Sequence, residues 1–313
     1  MLYLSLWAHP SKSARLVKCR TRNRYDRSAI SIAAILQEMG SPTNHRAADA
    51  ITVDIYPHRI LVICQKDIWG HMNETEFLDG YDPNRYERPS VAVDLILASV
   101  VNGRPAALLM QRAEHPCMSA WCLPGGFVRI DESLDAAAHR VLATKVRMAD
   151  AYVEQLYTFG TVDRDPRTRV ISVAYFALLP PDRFAAALKA APDLTLAEIV
   201  VPWSGETGGP VAARSQDGDA LPLAFDHADM LGLAILRLRG KLDYSDVAYA
   251  LLPERFTLRA LQDVHETILG RSLNKPAFRR RMLATNTLVA TGKRETGASF
   301  RPAELFRHHS TQE

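Results

Sequence analysis

Nine lysines and arginines lie between positions 271 and 307, and only Glu295 and Glu304 oppose them. That local excess of seven positive charges is the electrostatic footprint of phosphate contact, as on DNA. Three of the arginines are consecutive. If residues 274–286 form a helix, Phe278, Met282 and Leu283 mark its apolar side. At about 100° per residue Arg280 and Arg281 then point away from that side, with the small Ala277 and Ala284 beside them. Such a helix can enter a major groove, where arginine suits guanine edges or phosphates. Arg279 lies nearer the apolar side and is expected to brace the fold. Lys275, Lys293, Arg294 and Arg301 complete the expected DNA contacts, with Lys293 and Arg294 at the turn of a hairpin. A second group, His115, Cys117 and Cys122, has the residue types of a metal site but not the spacing of a zinc motif. It reads as small buried side chains near a turn.

The elements that must carry these residues fall into an order. The first 71 residues read as a poorly organised leader. Residues 60–64 resemble a short strand with no obvious partner, and Met72 opens a stretch that looks like a natural N-terminus, so translation is expected to start near it. Residues 91–101 (VAVDLILASVV) are strongly β-prone, Asn102-Gly103 is a hairpin turn, and 106–111 is the returning strand. Residues 131–148 read as a helix capped by Asp131, with Leu134, Ala137, Ala138, Val141 and Leu142 on one side. Residues 157–169 form a charged loop of the kind that lines ligand clefts, and 170–179 is another strand. Residues 204–224 are polar and Gly-rich, as in an exposed tether. Helices follow at 226–241, 244–252, 257–269 and 274–286, the last two spaced as a helix-turn-helix, and 288–306 alternates like a hairpin wing.

The turn Leu123-Pro124-Gly125-Gly126 leads into Gly126, five residues, Glu132, seven residues, Arg140. This spacing resembles the front half of the Nudix box. The back half departs from that family: Val141, Thr144 and Lys145 stand where it places metal-binding glutamates. A divalent metal needs hard oxygen ligands, and an ammonium group beside its seat opposes it. The resemblance therefore implies a Nudix fold with no catalytic residues and no metal. Lys145 is expected to meet a phosphate directly. Arg112, Gly125, Gly126, Arg129 and Glu132 would complete the ligand-binding surface.

Taken with LDYSDVAYALLPERFTLRALQDVHETILGR and NKPAFRRRML, the Nudix-like stretches resemble the Nudix-related transcriptional regulators of the NrtR group over residues 72–309. The implied fold is α+β: a Nudix-type α/β/α sandwich (72–203), a linker (204–224) and a C-terminal winged helix-turn-helix domain (225–313). The resemblance implies a homodimeric repressor on palindromic double-stranded DNA, serving NAD biosynthesis or salvage genes and relieved by ADP-ribose or a related nucleotide, with no cofactor. An active Nudix pyrophosphohydrolase and a regulator of sugar catabolism are the alternatives. Four cysteines in 313 residues suit a reducing cytoplasm, and no apolar run is long enough to span a membrane. The net charge of +3, with 47% apolar and 23% charged residues, is that of an ordinary globular chain.

Overall fold

The computed structural model describes residues 51–56, 59–64, 73–148, 151–296 and 302–309. The chain divides into two compact units, 1–86 and 87–313. In the first, β1 (Ile51–Tyr56) pairs antiparallel with β2 (Arg59–Cys64), Ile51 opposite Cys64. The strand expected near 60–64 therefore has its partner immediately upstream, and that part of the leader is organised. A six-residue helix, α1 (Glu74–Asp79), begins with a capping box: the Asn73 side chain accepts from the Glu76 amide, and the Glu76 carboxylate accepts from the Asn73 amide.

The second unit is built on an eight-stranded mixed sheet. Its order is β10 (Ala212–Arg214), β9 (Leu194–Val200), β4 (Arg104–Gln111), β3 (Ser90–Val101), β8 (Val170–Leu178) and β7 (Glu154–Phe159). The short β5 (Trp121–Cys122) and β6 (Gly125–Phe127) pair with β4 and β3. β3 and β8 run parallel. Alternation along β3 sends Val93, Leu95 and Leu97 to one face and Ile96 and Ala98 to the other. The first face is covered by α2 (Leu134–Val141) and α3 (Pro181–Ala190). The second is covered by α4 (His227–Lys241), which inserts Met230, Leu231, Ala234, Ile235 and Leu238. The layering is the expected α/β/α, but its second helical layer is not drawn from residues 72–203: it is α4, from the segment expected to open the winged helix domain.

Two boundaries differ from the sequence reading. α2 starts after Ser133, whose hydroxyl accepts from the Ala136 amide, because the Glu132 carboxylate is held elsewhere and Asp131 lies outside the helix. Past Val141 the backbone widens into a π turn, Leu142–Val146, that ends at Arg147 with φ 59°. The segment 204–224 is not an exposed tether: it supplies β10, and its Val211, Ala213 and Leu221 are buried. Apolar residues placed every few positions among its glycines anchor it to the sheet edge.

The C-terminal part joins the same core through α4. A 3-10 segment (Asp246–Leu251) replaces the expected helix at 244–252, and α5 (Leu258–Leu269), α6 (Lys275–Ala284) and the hairpin β11 (Leu288–Arg294) with β12 (Glu304–His308) complete it. Leu261, Val264, Ile268, Phe278, Met282 and Phe306 are continuous with the core beneath α4. Among the described residues no helix is long and apolar enough to cross a membrane.

Gly232 of α4 lies against the Gly209 carbonyl, and a Cβ there would stand 2.0 Å from that oxygen. Gly240, on the same helix, faces open space. Gly232→Ala is expected to cost about 2 kcal/mol or more through backbone displacement. Gly240→Ala should gain about 0.5–1 kcal/mol from helix propensity. Urea unfolding of the two variants checks the contrast.

Candidate functional site

A pocket of about 190 Å³ lies between the sheet and the first turn of α4. Four of the six expected ligand residues line it: Arg112, Gly125, Gly126 and Lys145. Gly125 is required by close approach, since a Cβ there would meet Asp94 Oδ1 at 2.1 Å and the Val93 carbonyl at 2.7 Å. Gly126 has ordinary room, its nearest neighbour being Val141 Cγ2 at 3.7 Å. The π turn brings Lys145 back over the glycine turn, where its ammonium donates to the Gly125 carbonyl. Arg112 donates to the Pro116 carbonyl at 2.8 Å and stacks over the Phe225 ring at 4.8 Å. Among the described residues neither Arg112 nor Lys145 has a carboxylate partner.

The other two expected residues lie outside the pocket. Glu132 is consumed by Arg140, which donates to both carboxylate oxygens, and by the Arg129 amide at 2.9 Å. The Arg140 hydrogen bonds, with smaller help from that amide, hold the Glu132 carboxyl at about 2. The pair is a clamp between turn and helix: Arg140 also donates to the Phe127 carbonyl at 3.0 Å. Arg129 is exposed beside it. Spacing alone groups Glu132 and Arg129 with the ligand. In the fold, Glu132 and Arg140 instead satisfy each other.

The pocket also contains residues that the motif does not reveal. The charged loop supplies Arg164, Asp165 and Arg167. Arg167 pairs with Asp165 at 2.7 Å, which lowers the Asp165 carboxyl, and its guanidinium lies 5.3 Å from the Phe127 ring and 5.9 Å from Phe225. Arg164 binds Asp226 through two hydrogen bonds, 2.9 and 2.6 Å, with its side chain only 4% exposed. Phe225 holds φ at 52°, a conformation that costs a bulky residue energy and persists only where the surroundings impose it. The floor is polar. Asp94 accepts from the Ser172 hydroxyl, and His227 Nδ1 accepts from the Leu123 amide at 3.0 Å. Burial pushes the His227 imidazole below its ordinary range. Cys122 lines the same pocket with its thiol raised by burial, whereas Cys117 is exposed rather than buried. Among the described residues no three His, Cys, Asp or Glu side chains are grouped to hold a metal ion. Arg164 and Arg167 are foreshadowed by the composition of their loop; Asp94 and His227 carry no signal, since neither belongs to a motif.

A second candidate site is the surface of α6. α5 begins on Thr257, whose hydroxyl accepts from the Ala260 amide, and stops at Gly270 with φ 68°. The turn to α6 is braced by Glu266, whose carboxylate accepts from the Leu273 amide at 2.8 Å and from Gln262 at 2.7 Å. Asn274 caps α6 by accepting from the Ala277 amide. Phe278 and Met282 are buried, while Lys275, Arg279 and Arg280 are exposed and form no ion pair among the described residues. Arg281 differs from expectation. It follows Phe278 by three positions, so its guanidinium lies 5.7 Å from that ring and 3.1 Å from the Asp243 carboxylate. Arg279, expected to brace the fold, is exposed instead. Lys293 and Arg294 belong to strand β11 rather than to the turn, and Arg294 donates to the Pro302 carbonyl at 3.0 Å. Arg301 lies outside the described residues.

Comparison with known proteins matches residues 89–198 to the NUDIX domain and residues 248–308 to the NrtR DNA-binding winged helix domain. The chain is 37% identical over 237 residues to the ADPR responsive transcriptional repressor NtrR of Acinetobacter baylyi, covering 75% of this chain and 88% of the relative. It is 29% identical over 147 residues to an ADP-ribose pyrophosphatase of Methanocaldococcus jannaschii, covering 47% and 73%. The crystal structure of Shewanella oneidensis NrtR complexed with a 27mer DNA superposes with a TM-score of 0.57 at 34% identity, covering 70% of this chain and 93% of that one.

The buried groups set a pH dependence. His227 and His265 are both pushed down by burial from 6.5, so below that pH the unfolded chain takes up protons that the folded one refuses. Their contribution to stability is complete above 6.5 and declines as the pH falls. A second decline follows below 4.5 as Glu132, Glu266 and Asp165, all held down by their hydrogen-bond donors, lose their charge. Urea unfolding across this range should show both stages, and Glu132→Gln should make the lower one shallower without abolishing it.

Proposed function

This chain belongs to the NrtR family, in which a NUDIX domain is joined to a winged helix, and we propose that it represses NAD biosynthesis or salvage genes and releases DNA on binding ADP-ribose or a related nucleotide. The Acinetobacter relative is responsive to ADPR and the Shewanella relative was crystallised on DNA, which supports the two binding activities. In this reading a homodimer places two copies of α6 in successive major grooves of a palindromic operator. Lys275, Arg279 and Arg280 face the duplex, and Lys293 of the wing flanks them. Arg281 remains with Asp243 and fixes the helix.

The observation that carries the effector reading is Lys145 at the Gly125 carbonyl. The residues around it do not fit a divalent metal. Val141 is fully buried among apolar side chains, the Thr144 hydroxyl donates to the Arg140 carbonyl, and Glu132 is committed to Arg140. Arg112 and Lys145 instead offer positive charge with no acidic partner among the described residues, which suits a diphosphate bound without a metal. The pocket is thus a sensor and not a hydrolytic centre.

Fluorescence anisotropy on the upstream promoter tests the whole reading, with ADP-ribose, NAD and sugars as competitors. ADP-ribose is expected to release the DNA; release by a pentose alone would move the protein to sugar catabolism. AMP formation from ADP-ribose with magnesium or manganese, at enzymatic rates, would contradict the sensor role. Lys145→Ala should weaken ADP-ribose roughly tenfold or more. Arg280→Ala should weaken operator binding and flatten its salt dependence, by about 0.9 in log–log slope for each phosphate no longer neutralised. Arg281→Ala should change the slope less.

A further inference from the structure

His227 occupies an unusual position. It is the first residue of α4, its side chain is 5% exposed, and it lines the pocket. Nδ1 is occupied as the acceptor of the Leu123 amide, so the neutral ring carries its proton on Nε2. Nε2 stands 3.8 Å from Asp94 Oδ1, too far for a direct hydrogen bond. A donor and an acceptor on two largely buried side chains therefore open on the same pocket, unjoined, and one oxygen beside them can accept from Nε2 and donate to the carboxylate. An ionised phosphate oxygen cannot serve, since it has no proton to give and is repelled by Asp94. A hydroxyl can.

We propose that Asp94 and His227 form a hydroxyl-reading pair that recognises a ribose of the effector while Arg112 and Lys145 hold its diphosphate. This rests on the effector reading above and assigns the specificity of that pocket. His227 also connects the pocket to the DNA-reading half. At the far end of the same helix Arg239, 6% exposed, donates to the Ile268 carbonyl in the last turn of α5 and to the Gly205 carbonyl, both at 2.7 Å. Its guanidinium stacks 4.6 Å over Trp203. A ligand that engages His227 thus acts on the helix that seats the helix-turn-helix.

Two substitutions separate reading from mere support. Asparagine reproduces the Nδ1 acceptor and lacks Nε2; glutamine reproduces the Nε2 donor and lacks the acceptor. In calorimetry with the full chain, His227→Asn should keep the wild-type melting temperature and lose ADP-ribose affinity roughly tenfold or more. It should also raise by the same factor the ADP-ribose needed to release operator DNA. His227→Gln should retain ADP-ribose affinity while melting lower, because the Leu123 amide loses its partner. Inorganic pyrophosphate, which has no sugar, should bind wild type and His227→Asn alike. Equal ADP-ribose affinity in wild type and His227→Asn overturns the pair. No binding by wild type overturns the effector reading, and the pair with it. Should the asparagine variant not fold, the wild type still decides. In 15N-histidine-labelled protein the Nε2 resonance of His227 should move on adding ADP-ribose, and an unmoved resonance overturns the proposal.

Discussion

A carboxyl group set in the middle of an apolar central strand must be satisfied or it costs several kcal/mol. Asp94 is that group, and much of the pocket is arranged around it. Ser172 on the parallel neighbour β8 donates to one oxygen. The other oxygen comes so close to residue 125 that only glycine fits there. The Leu-Pro-Gly-Gly turn is held against β3 by the pairing of Gly125 and Gly126 with Asp94 and Val93 and by the Leu95 amide on the Pro124 carbonyl, and the Gly125 carbonyl receives Lys145. The remaining side of Asp94 faces His227, where α4 begins. The glycine turn, the carbonyl that seats the lysine and the first residue of the long helix therefore all meet around one buried acid.

The charges around this acid fall into two kinds. Arg140 and Glu132, Arg167 and Asp165, and Arg164 and Asp226 are mutually satisfied and act as fasteners. Arg112 and Lys145 are held in place by backbone carbonyls and an aromatic face, so their charge is available to a ligand. The same division appears on α6, where Arg281 is fastened to Asp243 and Arg280 is not. In both places a cation with no acid beside it among the described residues keeps its charge free, and its neighbours are fastened.

How much of this is legible in the sequence depends on whether the information is local. The strand at 91–101, the Asn102-Gly103 turn, the Thr257 cap and the Gly270 stop are written in adjacent residues, and each is where the pattern places it. The charged loop at 157–169 announces a cleft, although its first three residues are the end of β7. Glu132 falls with the ligand in a motif because a motif records spacing and not which groups neutralise each other, and Arg129 only because it lies near the same turn. Asp94 and His227 are 133 positions apart and meet only after the sheet and α4 have packed. No periodicity encodes such a meeting. The segment 204–224 misleads for a related reason: its glycines suggest freedom, whereas Gly209 is where the backbone of α4 comes closest.

The helix α4 is buried along nearly its whole length, from His227 to Arg239, against the sheet on one side and the winged helix on the other. It is thus part of both halves of the molecule, and neither half has a complete boundary without it. Cutting the chain at the Gly-rich segment would uncover the sheet face around Ile96, Ala107 and Phe176 and leave α4 exposing Met230, Leu231 and Ile235 to water. Modularity in this protein is therefore a property of its sequence motifs and not of its core. An exchange of DNA-reading modules between such chains would have to carry α4 along or reproduce its packing, because Leu242, directly after Lys241, already belongs to the shared core.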